Sequence, residues 1–352
     1  MDAEDPLFIL YTSGSTGLPK GVEVSHQALF NFLNSMATEP GLQQSDRLLA
    51  VTTVCFDIAA LELFLPLLQG AEIILAAQSD VVDGQKLIDL VAQREVTCMQ
   101  ATPVTWNLML SAGWQGSPKL KLLCGGEALS TQLAGELLPR CDQLWNMYGP
   151  TESTIWSLIV RITLESLAQS AIGIVGIGRP IQNTYLLVLD RWGKVSAPGV
   201  LGELCIGGAG LARGYRGRPA LNAEKFFVYG VAQRWSPESQ LQERRFYRTG
   251  DVVCVTEQGH LDFLGRLDSQ VKVRGYRVEL GEIEAQLGRS DVVSNAVVCS
   301  HQDGDDQNYL VAYIKPANNE LQTNNANLLA VKSGLSEALP RYMVPDQFVL
   351  LD

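Results

Sequence analysis

Positive charge, long apolar runs and cysteine pairs at metal spacing are all scarce in this chain of 352 residues. Its seven cysteines, at 55, 98, 124, 141, 205, 254 and 299, are odd in number and none stands in a CxxC arrangement, so neither a disulfide framework nor a thiolate zinc site is indicated. No apolar run approaches the roughly 20 residues of a membrane-spanning helix, and residues 1–10 lack the cationic start and cleavage site of a secretion signal. A cytoplasmic protein is therefore expected. Lys and Arg number 27 against 38 Asp and Glu, a net charge of −11, which argues against nucleic acid or an anionic membrane as partner. Charged residues make up only 18% while apolar ones reach 46%, enough to build a core and too much for disorder. The length allows two or three domains.

What is present is an ordered alternation. Ala71–Ala77, Val96–Ala101, Leu120–Cys124 and Gln143–Tyr148 read as buried strands, and 85–95, 103–112 and 130–139 carry apolar residues at helical spacing. This predicts an α/β layer with a mostly parallel sheet over residues 1–182. From 183 to 267, short strands at Tyr185–Asp190, Gly202–Ile206, Asp251–Thr256 and Leu261–Leu264 alternate with Gly, Pro and Asp, predicting a small β-barrel-like unit. Residues 268–352 hold helical stretches at 279–288 and 325–338 and strands at 292–299 and 309–315, predicting a small α+β domain. Asn318–Asn327 reads as a polar loop.

The densest chemistry lies near the start. An apolar strand, Leu7–Tyr11, runs into Thr12-Ser13-Gly14-Ser15-Thr16-Gly17-Leu18-Pro19-Lys20-Gly21: four hydroxyls, three glycines and a lysine in ten residues. Glycines let backbone N–H groups converge on an anion, and the hydroxyls and lysine add donors, so this is a phosphate cradle. It is not a Walker A loop, because Pro19 precedes the lysine and a strand, Val22-Glu23-Val24, follows.

The segment Tyr11–Gly21 resembles the phosphate loop of the adenylate-forming superfamily, which includes acyl-CoA synthetases, luciferases and the adenylation domains of nonribosomal peptide synthetases. Further motifs occur in the family's order. Asn146-Met147-Tyr148-Gly149-Pro150-Thr151-Glu152 resembles the adenine and metal motif, Tyr247-Arg248-Thr249-Gly250-Asp251 the ribose motif, and Gly125-Gly126-Glu127-Ala128 the loop under the nucleotide. The resemblance implies ATP and Mg²⁺ as cofactors. Lys20, Thr151, Glu152 and Arg266 become the catalytic candidates, with Glu152 holding the metal. Nucleotide contacts are implied for Thr12, Ser13, Gly14, Ser15, Thr16, Gly17, Gly126, Glu127, Ala128, Asn146, Tyr148, Asp251 and Phe263. Gly202–Gly217 resembles a structural motif of the family and is assigned no chemistry. Gly265-Arg266-Leu267-Asp268 resembles the hinge between a large domain (1–267) and a small one (268–352), with Asp268 as pivot.

The substrate follows from Cys55-Phe56-Asp57-Ile58. An Asp opening an apolar helical run is either a helix cap or a buried carboxylate facing a cation. In amino-acid adenylation domains the matching Asp pairs with the substrate's ammonium group, which makes an amino acid the expected substrate. The implied pocket is Asp57, Ile58, Leu61, Gln100, Leu123, Gly125, Met147, Ile155 and Trp156. It offers no second charge and several bulky side chains, so it favours the smallest substrates; the set is similar to the family's glycine signature, with alanine second. The implied partner is the phosphopantetheine thiol of a peptidyl carrier domain, alongside neighbouring synthetase modules; whether a small helper protein takes part is left open.

In the family, part of the large domain precedes the phosphate loop, and a lysine in an Asn-Gly-Lys context lies near the C-terminus. Leu339-Pro340-Arg341-Tyr342-Met343-Val344-Pro345 resembles the segment before that lysine, and Lys332 does not match it. The chain is therefore expected to lack the first subdomain and the terminal lysine and to be impaired when alone. Two alternatives stand beside the peptide-synthetase reading: an acyl- or aryl-CoA ligase of the same superfamily, and a nucleotide-binding fragment with little turnover.

Overall fold

The structure, a computed structural model, describes residues 2–14, 18–168, 170, 172–232, 241–257, 259–302, 308–317 and 325–351. The chain divides into two compact units: Met1–Leu10 with Gly21–Leu267, and Tyr11–Lys20 with Asp268–Asp352.

Most of the first unit is built around one sheet. In chain order it begins with β1 (Pro6–Thr12), β2 (Lys20–Ser25), α1 (His26–Met36), β3 (Arg47–Ala50), α2 (Ala59–Gln69) and β4 (Glu72–Leu75). There follow α3 (Gln78–Val81), α4 (Gly84–Gln93), β5 (Cys98–Ala101), α5 (Pro103–Ser111), β6 (Lys121–Gly125), α6 (Thr131–Leu137) and β7 (Gln143–Tyr148). The layer ends with β8 (Leu158–Ile162), α7 (Leu164–Ala168) and β9 (Arg179–Pro180). Strands run in the order β4-β3-β5-β6-β7-β8-β9, parallel from β4 to β7 and antiparallel beyond. Side-chain caps start α1, α4 and α6. Ser25 accepts from the Ala28 N–H, Asp83 from Gln85 and Lys86, and Ser130 from Leu133, while α2 stops at Gly70, whose φ of 69° suits the left-handed end of a helix.

β5, β6 and β7 are buried on both faces, as helix-covered parallel strands are. Side chains alternate across the sheet, so it separates two cores. Met99, Ala101, Leu122, Cys124 and Leu144 pack with α4, α5 and α6. Cys98, Leu123, Trp145 and Met147 pack with α1 and α2.

The rest of the unit is antiparallel. It comprises β10 (Thr184–Leu189), β11 (Leu201–Gly208), β12 (Gly214–Tyr215), α8 (Pro219–Lys225), β13 (Phe226–Ala232), β14 (Leu241–Val255) and β15 (Leu261–Arg266). Five of these strands form one sheet, in the order β10-β11-β14-β13 with β15 also on β14, while β12 joins β2 and β1. In the second unit, β16 (Gln270–Val273) and β17 (Tyr276–Glu279) form a hairpin. Its two turn residues, Arg274 and Gly275, both have positive φ (52° and 84°), the geometry that matches strand twist in a two-residue turn. Then come α9 (Leu280–Leu287), β18 (Val293–Gln302), β19 (Asn308–Pro316), α10 (Asn325–Ala338) and β20 (Gln347–Leu350). Val278, Ile283, Leu310, Ile314 and Leu335 are among its core. Of the Asn318–Asn327 loop, residues 318–324 lie outside the described residues, and 325 opens α10.

Burial pushes the thiols of Cys98 and Cys205 up to about 12, so they act as small apolar packing groups. Among the described residues no helix is long and apolar enough to cross a membrane.

Candidate active site

Strand alternation assembles the predicted pocket. Gln100 pairs with Leu123, Leu123 with Trp145, and Gly125 with Met147, so these side chains share the sheet face that α1 and α2 cover. Ile58, Leu61, Leu123, Met147, Ile155 and Trp156 belong to one buried cluster there. Trp156 is 1% exposed, and a Cβ added at Gly125 would lie 2.6 Å from its Cη2 atom and from the Met147 carbonyl oxygen. Only glycine at 125 leaves room for that indole.

Asp57 lies just before α2 and is 5% exposed. It does not cap the helix: the cap position is Ile58, with no side-chain hydrogen bond. Instead Asp57 Oδ2 accepts from the Thr151 hydroxyl at 2.6 Å. The segment from Thr151 to Trp156 therefore reaches both the carboxylate and the pocket wall. Its path is strained. Thr154 and Ile155, both β-branched, adopt φ of 62° and 69°, a region such residues rarely enter. The N–H of Ser157 closes the loop onto the Tyr148 carbonyl at 2.8 Å.

Glu152 is fully buried, and its Oε1 accepts from the Tyr215 hydroxyl at 2.7 Å. Tyr215 belongs to β12, whose backbone pairs with β2, and the Ala212 N–H donates to the Glu152 carbonyl at 2.9 Å. The Gly-rich stretch 202–217 thus delivers a side chain to the metal-motif glutamate. Among the described residues no three His, Cys, Asp or Glu side chains gather as a metal cage. One buried carboxylate beside a threonine hydroxyl fits Mg²⁺, which draws most of its oxygens from phosphates and water.

A second cluster forms at the end of β7. Asp251, 7% exposed, accepts from the Tyr148 hydroxyl on Oδ2 and from Arg266 on Oδ1. The second Arg266 nitrogen donates to the Thr249 carbonyl at 3.1 Å. Burial, reinforced by the neighbouring Asp251 carboxylate, raises the Tyr148 phenol well above its ordinary value, so it remains a donor. Each Asp251 oxygen has two lone pairs, which leaves acceptor capacity for a diol. Phe263 packs into the same cluster as Tyr148. Asn146 is held by the Gly176 carbonyl at 3.0 Å. Gly126 takes φ of 88°, turning the chain into Glu127 and Ala128.

The phosphate loop belongs to the second unit. There the Ser13 hydroxyl donates to the Arg277 carbonyl at 2.9 Å and the Gly14 N–H to the Glu282 carboxylate at 3.3 Å. A Cβ at Gly14 would meet the Leu18 carbonyl oxygen, so the turn requires glycine. Lys20 is buried, and among the described residues the buried Thr12 hydroxyl has no hydrogen-bond partner. Ser15, Thr16 and Gly17 lie outside the described residues. Asp268, where the second unit resumes, accepts from the Gln270 N–H at 3.2 Å.

Two residues that the motifs did not single out touch candidate site residues: Tyr215, which donates to Glu152, and Glu62, which accepts from Gln100 at 2.9 Å.

Comparison with known proteins shows the family. The AMP-binding enzyme family matches residues 1–216. A dimodular nonribosomal peptide synthase of Bacillus subtilis (strain 168) is 42% identical over 349 residues, 99% of this chain; the chain spans 14% of that relative's length. A four-domain nonribosomal peptide synthetase, AB3403, solved with AMP and glycine, is 41% identical with a TM-score of 0.66, covering 99% of this chain and 24% of its own. PA1221, a synthetase protein with adenylation and PCP domains bound to a vinylsulfonamide inhibitor, is 28% identical with a TM-score of 0.85, covering 100% of this chain and 58% of its own. The chain therefore belongs to the AMP-binding enzymes, the adenylate-forming ligases, as an adenylation domain of the nonribosomal peptide synthetase type.

Proposed function

We propose that this domain activates glycine. One carboxylate oxygen of glycine attacks the α-phosphorus of ATP, the bond from that phosphorus to the bridging oxygen breaks, and glycyl-adenylate and pyrophosphate form. The observation that carries the reading is the filled pocket: Trp156 packed over Gly125, beside the buried Asp57. Asp57 would bind the α-ammonium in a charge-assisted hydrogen bond, and the indole would leave no volume for a side chain. AB3403, similar to this chain, was solved with glycine and AMP, which supports the same choice.

The remaining roles belong to the same proposal. Asp251 would accept from the ribose hydroxyls, Tyr148 and Phe263 would line the adenine, and Thr151 would contact the α-phosphate. Lys20 and the loop Thr12–Gly17 would hold the β- and γ-phosphates as charge builds on the leaving pyrophosphate. Mg²⁺, held by Glu152, would supply further positive charge there.

The second half-reaction would deliver the glycyl group to a carrier domain. The phosphopantetheine thiolate attacks the carbonyl carbon and AMP leaves. PA1221, which carries a PCP domain, supports such a partner. Residues 1–267 would act as the large domain and 268–352 as the small one, turning at Asp268 between half-reactions.

ATP–pyrophosphate exchange tests the reading, measured on the protein that carries this chain with a panel of amino acids, acetate and benzoate. Glycine should support the fastest exchange and alanine the next. Exchange with benzoate or acetate but with no amino acid would instead assign an acyl- or aryl-CoA ligase.

A further inference from the structure

Gln100 makes three hydrogen bonds in the core. Its amide nitrogen donates to the Ile58 carbonyl and to Glu62 Oε1, each at 2.9 Å, and its amide oxygen accepts from the Trp156 indole N–H at 2.8 Å. Behind it, Glu62 is entirely shielded from solvent. Its Oε2 accepts from the Val51 and Thr52 N–H groups, each at 3.0 Å, and its Oε1 also accepts from the Thr52 hydroxyl at 2.6 Å.

These bonds have a direction. At neutral pH Glu62 is ionised, because burial raises its pKa only to about 6 against the pull of its donors. An ionised carboxylate accepts and never donates. Gln100 must therefore turn its nitrogen towards Glu62, which leaves its oxygen for Trp156. The flipped amide would set oxygen against the carboxylate and the Ile58 carbonyl, and N–H against the indole N–H. A buried carboxylate is costly where an apolar residue would pack as well. Its presence is explained by this polarity: with an apolar residue at 62, only the Ile58 carbonyl would still accept from the Gln100 nitrogen.

We propose that Glu62 is a specificity-positioning residue: acting through Gln100, it fixes the hydrogen bond that holds the Trp156 indole across the substrate pocket. Glu62 does not line the pocket. It stands behind Gln100 and joins the end of β3 to the first turn of α2, tying the pocket wall to the scaffold. The selectivity part of this inference rests on the small-amino-acid reading above; the hydrogen-bond relay does not.

The test is Glu62→Gln, which keeps the shape and introduces a donor. Two readouts are taken. In the ¹H–¹⁵N spectrum of this chain, the Trp156 indole resonance, assigned by its loss in Trp156→Phe, should move upfield as its hydrogen bond breaks. The ratio of kcat/KM for glycine over alanine should fall by about tenfold, while KM for ATP stays within about twofold. In a Trp156→Phe background, which has no indole N–H to orient, Glu62→Gln should change the ratio by less than about twofold. A purely structural role would give the same loss in both backgrounds and would overturn the proposal. An unmoved indole resonance would overturn it as well. Should Glu62→Gln not fold by circular dichroism, Glu62→Asp, which withdraws the acceptor by one methylene, carries the same expectations. If neither glycine nor alanine is activated, the pocket reading falls, and the indole shift alone decides the relay.

Discussion

Thr151 donates its hydroxyl hydrogen to Asp57 at 2.6 Å, across 94 residues of sequence. The contact joins the residue proposed to bind the substrate's amine to the residue proposed to meet the α-phosphate. One hydrogen bond thus connects the two ends of the proposed substrate site. Asp57→Ala should lower kcat/KM for glycine in pyrophosphate exchange by at least about tenfold, the worth of a hydrogen bond to a charged group. ATP affinity, followed by calorimetry, should fall by less than the glycine-dependent kcat/KM does, since Asp57 would reach the nucleotide only through Thr151. Normal exchange with glycine would refute the pocket assignment.

Trp156→Ala opens the space over Gly125. Removing a fully buried tryptophan should destabilise the unit by about 3–5 kcal/mol in a denaturant titration. In the surviving folded protein, exchange with larger amino acids should rise relative to glycine. No gain for any larger substrate would contradict a pocket selected by volume.

Tyr215→Phe deletes a single hydroxyl. The ring keeps its edge contact with Phe226, at 5.7 Å between centroids, while buried Glu152 loses a donor. The cost should be about 1–3 kcal/mol of stability. The Mg²⁺ concentration giving half-maximal exchange should also shift, because the carboxylate is no longer held in place. A stability loss with an unchanged Mg²⁺ response would restrict Tyr215 to packing.

Glu62 gives a pH signature. Burial raises its pKa from 4.5 to about 6, so the folded protein binds this proton more tightly than the unfolded chain does. Protonation therefore favours the fold: the contribution is complete below 4.5 and is lost as pH rises through 6. A rise of that size is worth about 2 kcal/mol. Against Glu62→Gln, which cannot titrate, wild-type stability should decline by that amount between these pH values. Parallel stability curves for the two proteins would contradict it.

The sheet was readable from sequence because its central strands are apolar runs bounded by helical spacing. Once those strands are in register, Gln100, Leu123, Gly125 and Met147 fall on one face by alternation alone. β3, Arg47–Ala50, was not singled out from the sequence. Glu62 was not readable either, since a lone carboxylate in an apolar helix looks the same whether it faces water or Gln100, 38 residues away. Tyr215 sat in a glycine-rich stretch whose pairing with β2 becomes visible only in the fold, and its target, Glu152, lies 63 residues upstream. Motifs carried the residues they contain, and long-range hydrogen bonding supplied those that orient them.

The left-handed pair Thr154–Ile155 gives the site a mechanical property. Such a conformation persists only where the surrounding structure fixes it, and here the short span from Thr151 to Trp156 is held at both ends, by the Thr151–Asp57 and Trp156–Gln100 hydrogen bonds. Its one arm ends in the indole that bounds the pocket, and its other in the hydroxyl and carboxylate of Thr151 and Glu152. A side chain that pushed Trp156 aside would press on the residues proposed to face the phosphate. On that proposal an oversized amino acid would be penalised in turnover as well as in occupancy.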